Sequence, residues 1–556
     1  MTSLVELRIL EGPNLYFPRA AVKLTLDVSG LAAGSEQDLR AFGVALGMTG
    51  VRPGRADSGF RQRAVMRLVE RLVRRIAAGA GTTRLAVRVR PTNDSQRVVV
   101  AYPWRDRNRA RALGEAVAEV LDKGVDALPA AAAAVAGTTR GPGPTTLRPT
   151  VPVVAVTGTN GKTTTSRMIA HIARVSGRHV GWSNTDGIYL DGVLVEAGDY
   201  SGPSGAGRVL AHPEVEFAVT ETARGGILLK GIGLVHNDVS VVTNVTADHL
   251  GLQGIDTVDQ LAEVKGVVPR ITKKSGWAVL NADDPRVLAM QATTRAQPWL
   301  FSRDPDSPAL REVLARGGRA TTVMDGWLTV LRPGADPEQL LEIVDVPITL
   351  AGLSRFNVEN ALAAASAALA AGLDRGQVIE GLGSFLPDTE HNPGRMNVFT
   401  LDGYSVVIDL AHNEAGLEAL LEVMRGIVAP GGRTMLALGA VGDRTDELVT
   451  NLGEIAAKGA DVVVVGHKKR YLRGRSTDDL DALMREGAAR VGVEHLPSYP
   501  TELEALQVLC GLARPGDAVG LMCHAERQEV LEWIKRCGGT ADGPDDLREK
   551  VRHARA

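Results

Sequence analysis

The residues best suited to chemistry are Thr159, Asn160, Gly161, Lys162, Thr163 and Thr164, in the run VVAVTGTNGKTTT from Val153 to Thr165. An apolar strand, a glycine-rich turn and a helix start follow one another there, the order a nucleotide-phosphate loop needs. Backbone amides around Thr159 to Lys162 can cradle phosphate, Lys162 can reach the terminal phosphates, and the Thr163 hydroxyl can ligate magnesium. The general phosphate-loop pattern has Gly five residues before the Gly-Lys pair. Val156 stands at that position, so the match is to a shorter GTNGKT form.

Such a loop needs a sheet behind it, and the flanking sequence supplies one. VPVVAV, the helical stretch Thr163 to Val175, EFAVTE, DVSVVTNV and AVLN alternate strand-like and helical patterns, which predicts a mainly parallel sheet with helices on both faces. A second set, YSVVIDL, TMLALGAV, ADVVVVG and DAVGLMC, begins near Gly394 and reads as a separate C-terminal α/β domain. Ahead of both, the Ala-rich run from Ala127 gives way to GTTRGPGPTTLRPT, a linker composition. At roughly 150 residues per domain, 556 residues accommodate three to four domains. With 44% apolar and 23% charged residues the chain can bury several cores, which excludes broad disorder. No run of about 18 apolar residues occurs, and Glu6, Arg8 and Glu11 stand where a secretory leader would be apolar; a cytoplasmic protein without membrane partners is expected. Cys510, Cys523 and Cys537 are too few and too far apart for a disulfide framework and read as core thiols.

Charge is divided unevenly. Residues 1–150 hold 23 Lys and Arg against 13 Asp and Glu, so this part carries +10 and the remainder −12. The spacing predicts a helix from Phe60 to Ala77, with Val65, Leu68, Val69, Leu72 and Ile76 on one face and Arg63, Arg67, Arg71 and Arg74 on the other. That stripe is either a solvated face or a docking surface for a polyanion, since guanidinium forks match carboxylates and phosphates. No zinc-finger spacing or RNA-recognition signature accompanies it, so nucleic acid is not expected as a partner.

The short GTNGKT loop resembles the signature of the Mur ligase superfamily, which joins a carboxylate to an amine through an acyl phosphate made from ATP. ETARGGIL (Glu221 to Leu228), SNTDGIYLDG (Ser183 to Gly192), NVTADHLGL (Asn244 to Leu252), NADDPRV (Asn281 to Val287), SRFNVENALAA (Ser354 to Ala364) and LRGR (Leu472 to Arg475) resemble the Mur-ligase half of the cyanophycin synthetases. RILEGPNLY (Arg8 to Tyr16) resembles their N-terminal domain. The motifs occur in order and extend over nearly the whole chain. Between the two parts those enzymes carry an ATP-grasp domain that extends a poly-aspartate backbone; only the linker stands there in this sequence. The resemblance implies an α/β protein with a small α+β N-terminal domain (1–135), a linker (136–150), a central P-loop domain with a parallel sheet (151–393) and a Rossmann-like α/β C-terminal domain (394–556).

It also implies roles for single residues. One magnesium ion falls to Thr163 and Glu221, and a second to His249 and a carbamylated Lys265. Glu221 follows EFAVT and His249 follows SVVTNV, which puts both near the carboxyl ends of parallel strands, where such sheets bind ligands. Lys265 lies in a predicted helix, QLAEVKGVV, and without the resemblance reads as an exposed lysine. Asn360 is implied near the adenine base, Arg395 at the phosphates across a domain joint, and Asp409 at the ribose; Arg395 beside its Pro-Gly turn and Asp409 at its strand end also have structural readings. In DLAHNEAG, Glu414 replaces the proline of the family motif. The activity implied is an ATP-dependent amide ligase acting on an acidic polymer or peptide, through aspartate β-carboxylates, with arginine or another amine as donor. Asp443 and Arg444 are candidate substrate-lining residues, and a homo-oligomer is expected. The alternatives are a ligase for a different acid, either a small metabolite or polyglutamate, and a non-catalytic scaffold on the same fold.

Overall fold

The computed structural model describes residues 3–248 and 250–555; His249, one of the implied metal ligands, lies outside the described residues. Three sheets organise the chain. The first is antiparallel and four-stranded, in the order Leu4–Leu10, Ala21–Asp27, Arg97–Pro103, Arg88–Pro91. Alternation along Ala21–Asp27 sends Val22, Leu24 and Leu26 into a core shared with the helix Gly59–Gly79, whose Val65, Leu68, Val69, Leu72 and Ile76 are buried as the 3.6-residue spacing requires. Ser58 caps that helix by accepting from the Arg61 amide. The Ala-rich run forms a helix of its own, Leu128–Gly137, that buries Ala131, Ala132 and Val135 in the same core.

The second sheet has eleven strands, and its middle seven, from Arg319–Met324 to Val180–Ser183, are parallel. Antiparallel strands extend it at both edges. The strand Val153–Thr157 is fully buried, consistent with its unbroken apolar run. One face carries the helices Lys162–Val175 and Arg355–Ala370, and the other carries Val258–Lys265. The third sheet has five parallel strands, including Thr434–Leu438, Val462–Gly466, Ala518–Met522 and Tyr404–Asp409, with two antiparallel strands at one edge. This mixed α/β fold with parallel-rich sheets matches the expectation from strand alternation.

The first unit docks on the second through the RILEGPNLY segment. Asn14 ties the segment into a compact turn by donating to the Gly12 and Arg19 carbonyls and accepting from the Tyr16 and Phe17 amides. Leu15, Tyr16 and Phe17 are thereby buried in the apolar cluster of the central unit. Among the described residues no helix is long and apolar enough to cross a membrane. The cysteines are not uniformly core thiols: Cys523 is buried, Cys510 intermediate and Cys537 exposed, because Cys537 falls just past the end of the helix Arg527–Arg536.

Candidate functional site

The phosphate loop turns at the carboxyl end of Val153–Thr157 and enters the helix Lys162–Val175. Gly161 occupies the N-cap with φ +83, and a Cβ there would stand 2.2 Å from Asn360 Oδ1; Gly158, at φ +149, is equally crowded by Thr243 Oγ1. Asn244 holds the loop from behind, its carbonyl accepting from the Thr159 amide at 2.8 Å and its Oδ1 from the Asn160 amide at 2.9 Å. Without a capping side chain, the first-turn amides and their partial positive charge border a cavity of about 370 Å³.

That cavity gathers most of the residues singled out above. Thr159, Asn160, Gly161, Lys162, Thr163 and Thr164 line it together with Glu221, Lys265 and Arg395. Glu221, at the end of Phe217–Glu221, is buried and accepts from Thr163 Oγ1 at 2.9 Å and Thr185 Oγ1 at 3.1 Å. Lys162 Nζ donates to the Thr159 carbonyl at 2.7 Å, folded back over its own loop. Arg395 arrives from the third unit, with Nη2 3.4 Å from Thr163 Oγ1 and a buried Nε that has no hydrogen-bond partner among the described residues.

Lys265 departs from the plain reading of its helix. It is buried, and Nζ donates to the Gly158 carbonyl of the phosphate loop. Burial, reinforced by the nearby Lys162 charge, pushes its pKa well below the ordinary lysine value, which favours a neutral amine. The first unit grips this helix from outside: Arg90 pairs with Glu263 through both oxygens, at 2.7 and 2.9 Å, and Asn93 reaches Asp256.

Asn360 packs beneath the loop, accepting from Thr165 Oγ1 at 3.1 Å and donating to Asn357 at 3.0 Å. Asp409 stands at the domain joint, where its Oδ2 accepts from the Met396 amide at 2.9 Å and so shapes the turn that carries Arg395. Burial raises its pKa against the lowering pull of Arg395.

Contacts between units that motif reading did not reveal close the joint. Asn160 and Asn413 pair side chain to side chain at 3.1 and 3.4 Å, and Asp186 holds Arg167 and Arg527 at 2.9 Å each. Arg444 is buried between Asp248 at 3.2 Å and Asp443 at 3.1 Å. With Asp443 it lines a second cavity of about 470 Å³, which Asp248, Asp256, Glu414 and Glu447 also border. Glu414 is held there by Asn451 at 2.7 Å.

The arginine helix resolves into distinct roles. Arg63, Arg67 and Arg74 are exposed, with Arg74 paired to Glu70 at 2.6 Å. Arg71 is half-buried and donates to the Leu46 and Gly47 carbonyls, so its fork ties down the end of a neighbouring helix.

The second and third units are similar to known proteins. Residues 156–368 match the Mur ligase middle domain and residues 394–523 the Mur ligase glutamate ligase domain. Cyanophycin synthetase from Crocosphaera subtropica is 43% identical over 340 residues, which are 60% of this chain and 38% of that protein. The chain thus spans about two fifths of the length of these relatives. UDP-N-acetylmuramoyl-L-alanyl-D-glutamate–2,6-diaminopimelate ligase from Corynebacterium efficiens is 27% identical, covering 73% of this chain and 74% of that protein. E. coli FolC in complex with DHPP and ADP shares the fold, with a TM-score of 0.52 at 19% identity, covering 69% of this chain and 89% of that one. By its two matched domains and the relatives that share them, the chain belongs to the Mur ligase family.

Proposed function

We propose that the protein is an ATP-dependent carbon–nitrogen ligase that activates a carboxylate as an acyl phosphate and joins it to an amine. The observation that carries this reading is the convergence of Lys162, Thr163, Glu221 and Arg395 on one cavity, with Arg395 contributed by a different unit from the other three. A carboxylate oxygen of the acid attacks the γ-phosphorus and ADP leaves; the amine nitrogen then attacks the acyl carbon, and phosphate leaves as the nitrogen gives up its proton. Little acid–base chemistry is required, and electrostatic stabilisation carries most of the burden. The loop amides hold the phosphates, Lys162 swings from the Thr159 carbonyl to the transferring group, and Arg395 brings a second positive charge when the joint is closed.

The donor set fits magnesium. Thr163 and Glu221 offer a hydroxyl and a carboxylate, hard oxygens of the type it takes, and leave further positions to water and nucleotide. When bound, magnesium offsets charge on the phosphate oxygens. A second ion would be held by His249 and Lys265. The buried amine of Lys265, disfavoured as a cation, is suited to carbamylation, which would make it an oxygen ligand.

The acid is an aspartate side chain of an acidic polymer or peptide, retained near the site by the exposed arginines of the first unit. The donor is a cationic amine, arginine being the first choice: the second cavity, which shares Asp248 with the phosphate-loop cavity, is bordered by five carboxylates against one cation, Arg444, among the described residues. Phosphate release from ATP that requires both a β-linked aspartate peptide and an amine tests the reading. Release with another acid would redirect the substrate assignment, and absence of nucleotide binding would favour a scaffold.

A further inference from the structure

The C-terminal unit buries a charged cluster that the mechanism above does not use. Lys468 is fully buried, and its Nζ has three neighbours: the Met522 carbonyl at 2.6 Å, Glu502 Oε1 at 3.3 Å and Nδ1 of His524. An ammonium group has three N–H donors and no acceptor, and here each donor has one recipient. Burial lowers the Lys468 pKa, but the Glu502 carboxylate at 3.3 Å opposes that pull and keeps the group an ammonium, so Lys468 donates to Nδ1 and a neutral His524 carries its own hydrogen on Nε2. Burial, followed by the Lys468 charge, holds the His524 pKa well below the usual histidine value, in keeping with a neutral ring. Glu502 fixes the ring's backbone, accepting from the amides of His524, Ala525 and Glu526 at 2.7 to 3.0 Å.

The cluster thus spends two buried charges on setting one imidazole, and the imidazole's remaining group has no recipient. Nε2 is buried and without a hydrogen-bond partner among the described residues. A buried N–H left in this state loses its hydration without return, unless a ligand supplies an acceptor. His524 follows Ala518–Met522, at the carboxyl end of a parallel strand and on the side that faces the central unit. Three residues on, Arg527 crosses to Asp186. The ring stands edge-on to His412, which lines the phosphate-loop cavity, with centroids 5.9 Å apart.

We propose that His524 is a substrate-binding residue whose Nε2–H donates to an anionic oxygen held in the cleft between the two units, and that Lys468 and Glu502 are its positioning residues. This rests on the ligase reading for its substrates but not for its test. Two sources supply such an oxygen: a phosphate of the nucleotide, or the α-carboxylate of an amino-acid donor.

The experiment uses the full chain with 15N-labelled histidine, with His524→Gln assigning the signal. The Nε2–H tautomer is expected in the free protein. AMP-PNP with magnesium, arginine, or agmatine is then added separately. A downfield Nε2–H shift with AMP-PNP identifies the phosphate, and a shift with arginine but not agmatine identifies the carboxylate. In turnover assays His524→Ala should raise the corresponding KM at least tenfold, with partial rescue in His524→Gln, which keeps an N–H donor. Lys468→Met should mix the tautomers and raise the same KM. An Nδ1–H tautomer in the free protein, or no shift with any of the three ligands, would overturn the proposal. Unchanged KM values in a folded His524→Ala would overturn it as well. If the wild-type chain makes no amide, the ligase reading fails and the histidine spectra still decide this one.

Discussion

Thr163 Oγ1 donates to Glu221 Oε2 at 2.9 Å, joining the first turn of the phosphate-loop helix to the end of a neighbouring parallel strand 58 residues away. This pair is where a nucleotide-bound cation would sit, and its two members should act as a unit. Glu221→Gln removes the charge while keeping the shape, and turnover should fall about a hundredfold or more, the scale of losing one strong electrostatic contact in a site. Thr163→Val in the same background should cost much less than it does alone, because coupled groups are not additive. Fully additive losses, measured as kcat/KM with magnesium saturating, would show that the two do not share a ligand.

Gly161 sits against Asn360 with no room for a methyl group and with a positive φ. Gly161→Ala should weaken nucleotide binding by about 1–3 kcal/mol, the usual cost of overfilling a tight site. Asn360→Ala should relieve part of that cost in the double variant. Calorimetric titration with ADP measures both, and wild-type affinity in Gly161→Ala would contradict the described loop geometry.

Glu359, on the same helix as Asn360, accepts from Arg303 at 3.0 Å and Asn281 at 3.3 Å, yet burial pushes its pKa up to about 7. A carboxyl group with a folded pKa above its unfolded value binds more protons folded than unfolded. Its contribution to stability is therefore complete at low pH and is lost as pH rises from about 4.5 through about 7. The loss is on the order of 3 kcal/mol. Glu359→Gln should remove it, so that the variant gains on the wild type in thermal midpoint between pH 5 and pH 8. Parallel curves would refute the assignment.

The arginine face divides into exposed groups and one structural group. Replacing Arg63, Arg67 and Arg74 by Glu should lower turnover on long acidic chains roughly tenfold or more, through loss of local substrate concentration, and leave short peptides nearly unaffected. Arg71 is left intact because it serves the Leu46 and Gly47 carbonyls. Equal loss on long and short substrates would remove the docking role.

Local segments made much of this site legible. VVAVTGTNGKTTT encodes strand, turn and helix in consecutive residues, and EFAVTE delivers Glu221 to a strand end without reference to distant parts of the chain. The arginine stripe followed from helical periodicity alone, but the use of Arg71 depended on where another helix ended. Lys265 looked like a surface lysine because its eight-residue helix is short and mixed in character; only the sheet and the phosphate loop it packs against make it buried. At the joint the resemblance singled out Arg395, but the side-chain pairs that close it were not legible. Asp186 with Arg527, Asn160 with Asn413, and Asp248 with Arg444 lie about two hundred residues or more apart and carry no shared motif, and Lys468, Glu502 and His524 sit in three separate segments.

The most direct measurement is the mass of the product. The purified chain is incubated with ATP, magnesium, a short β-linked aspartate peptide and arginine, and the peptide is then weighed. The peptide should gain one arginine less one water per modified aspartate, matched by phosphate release and abolished in Lys162→Ala. An unmodified peptide across chain lengths and amines, from a protein that still binds ATP, would contradict it.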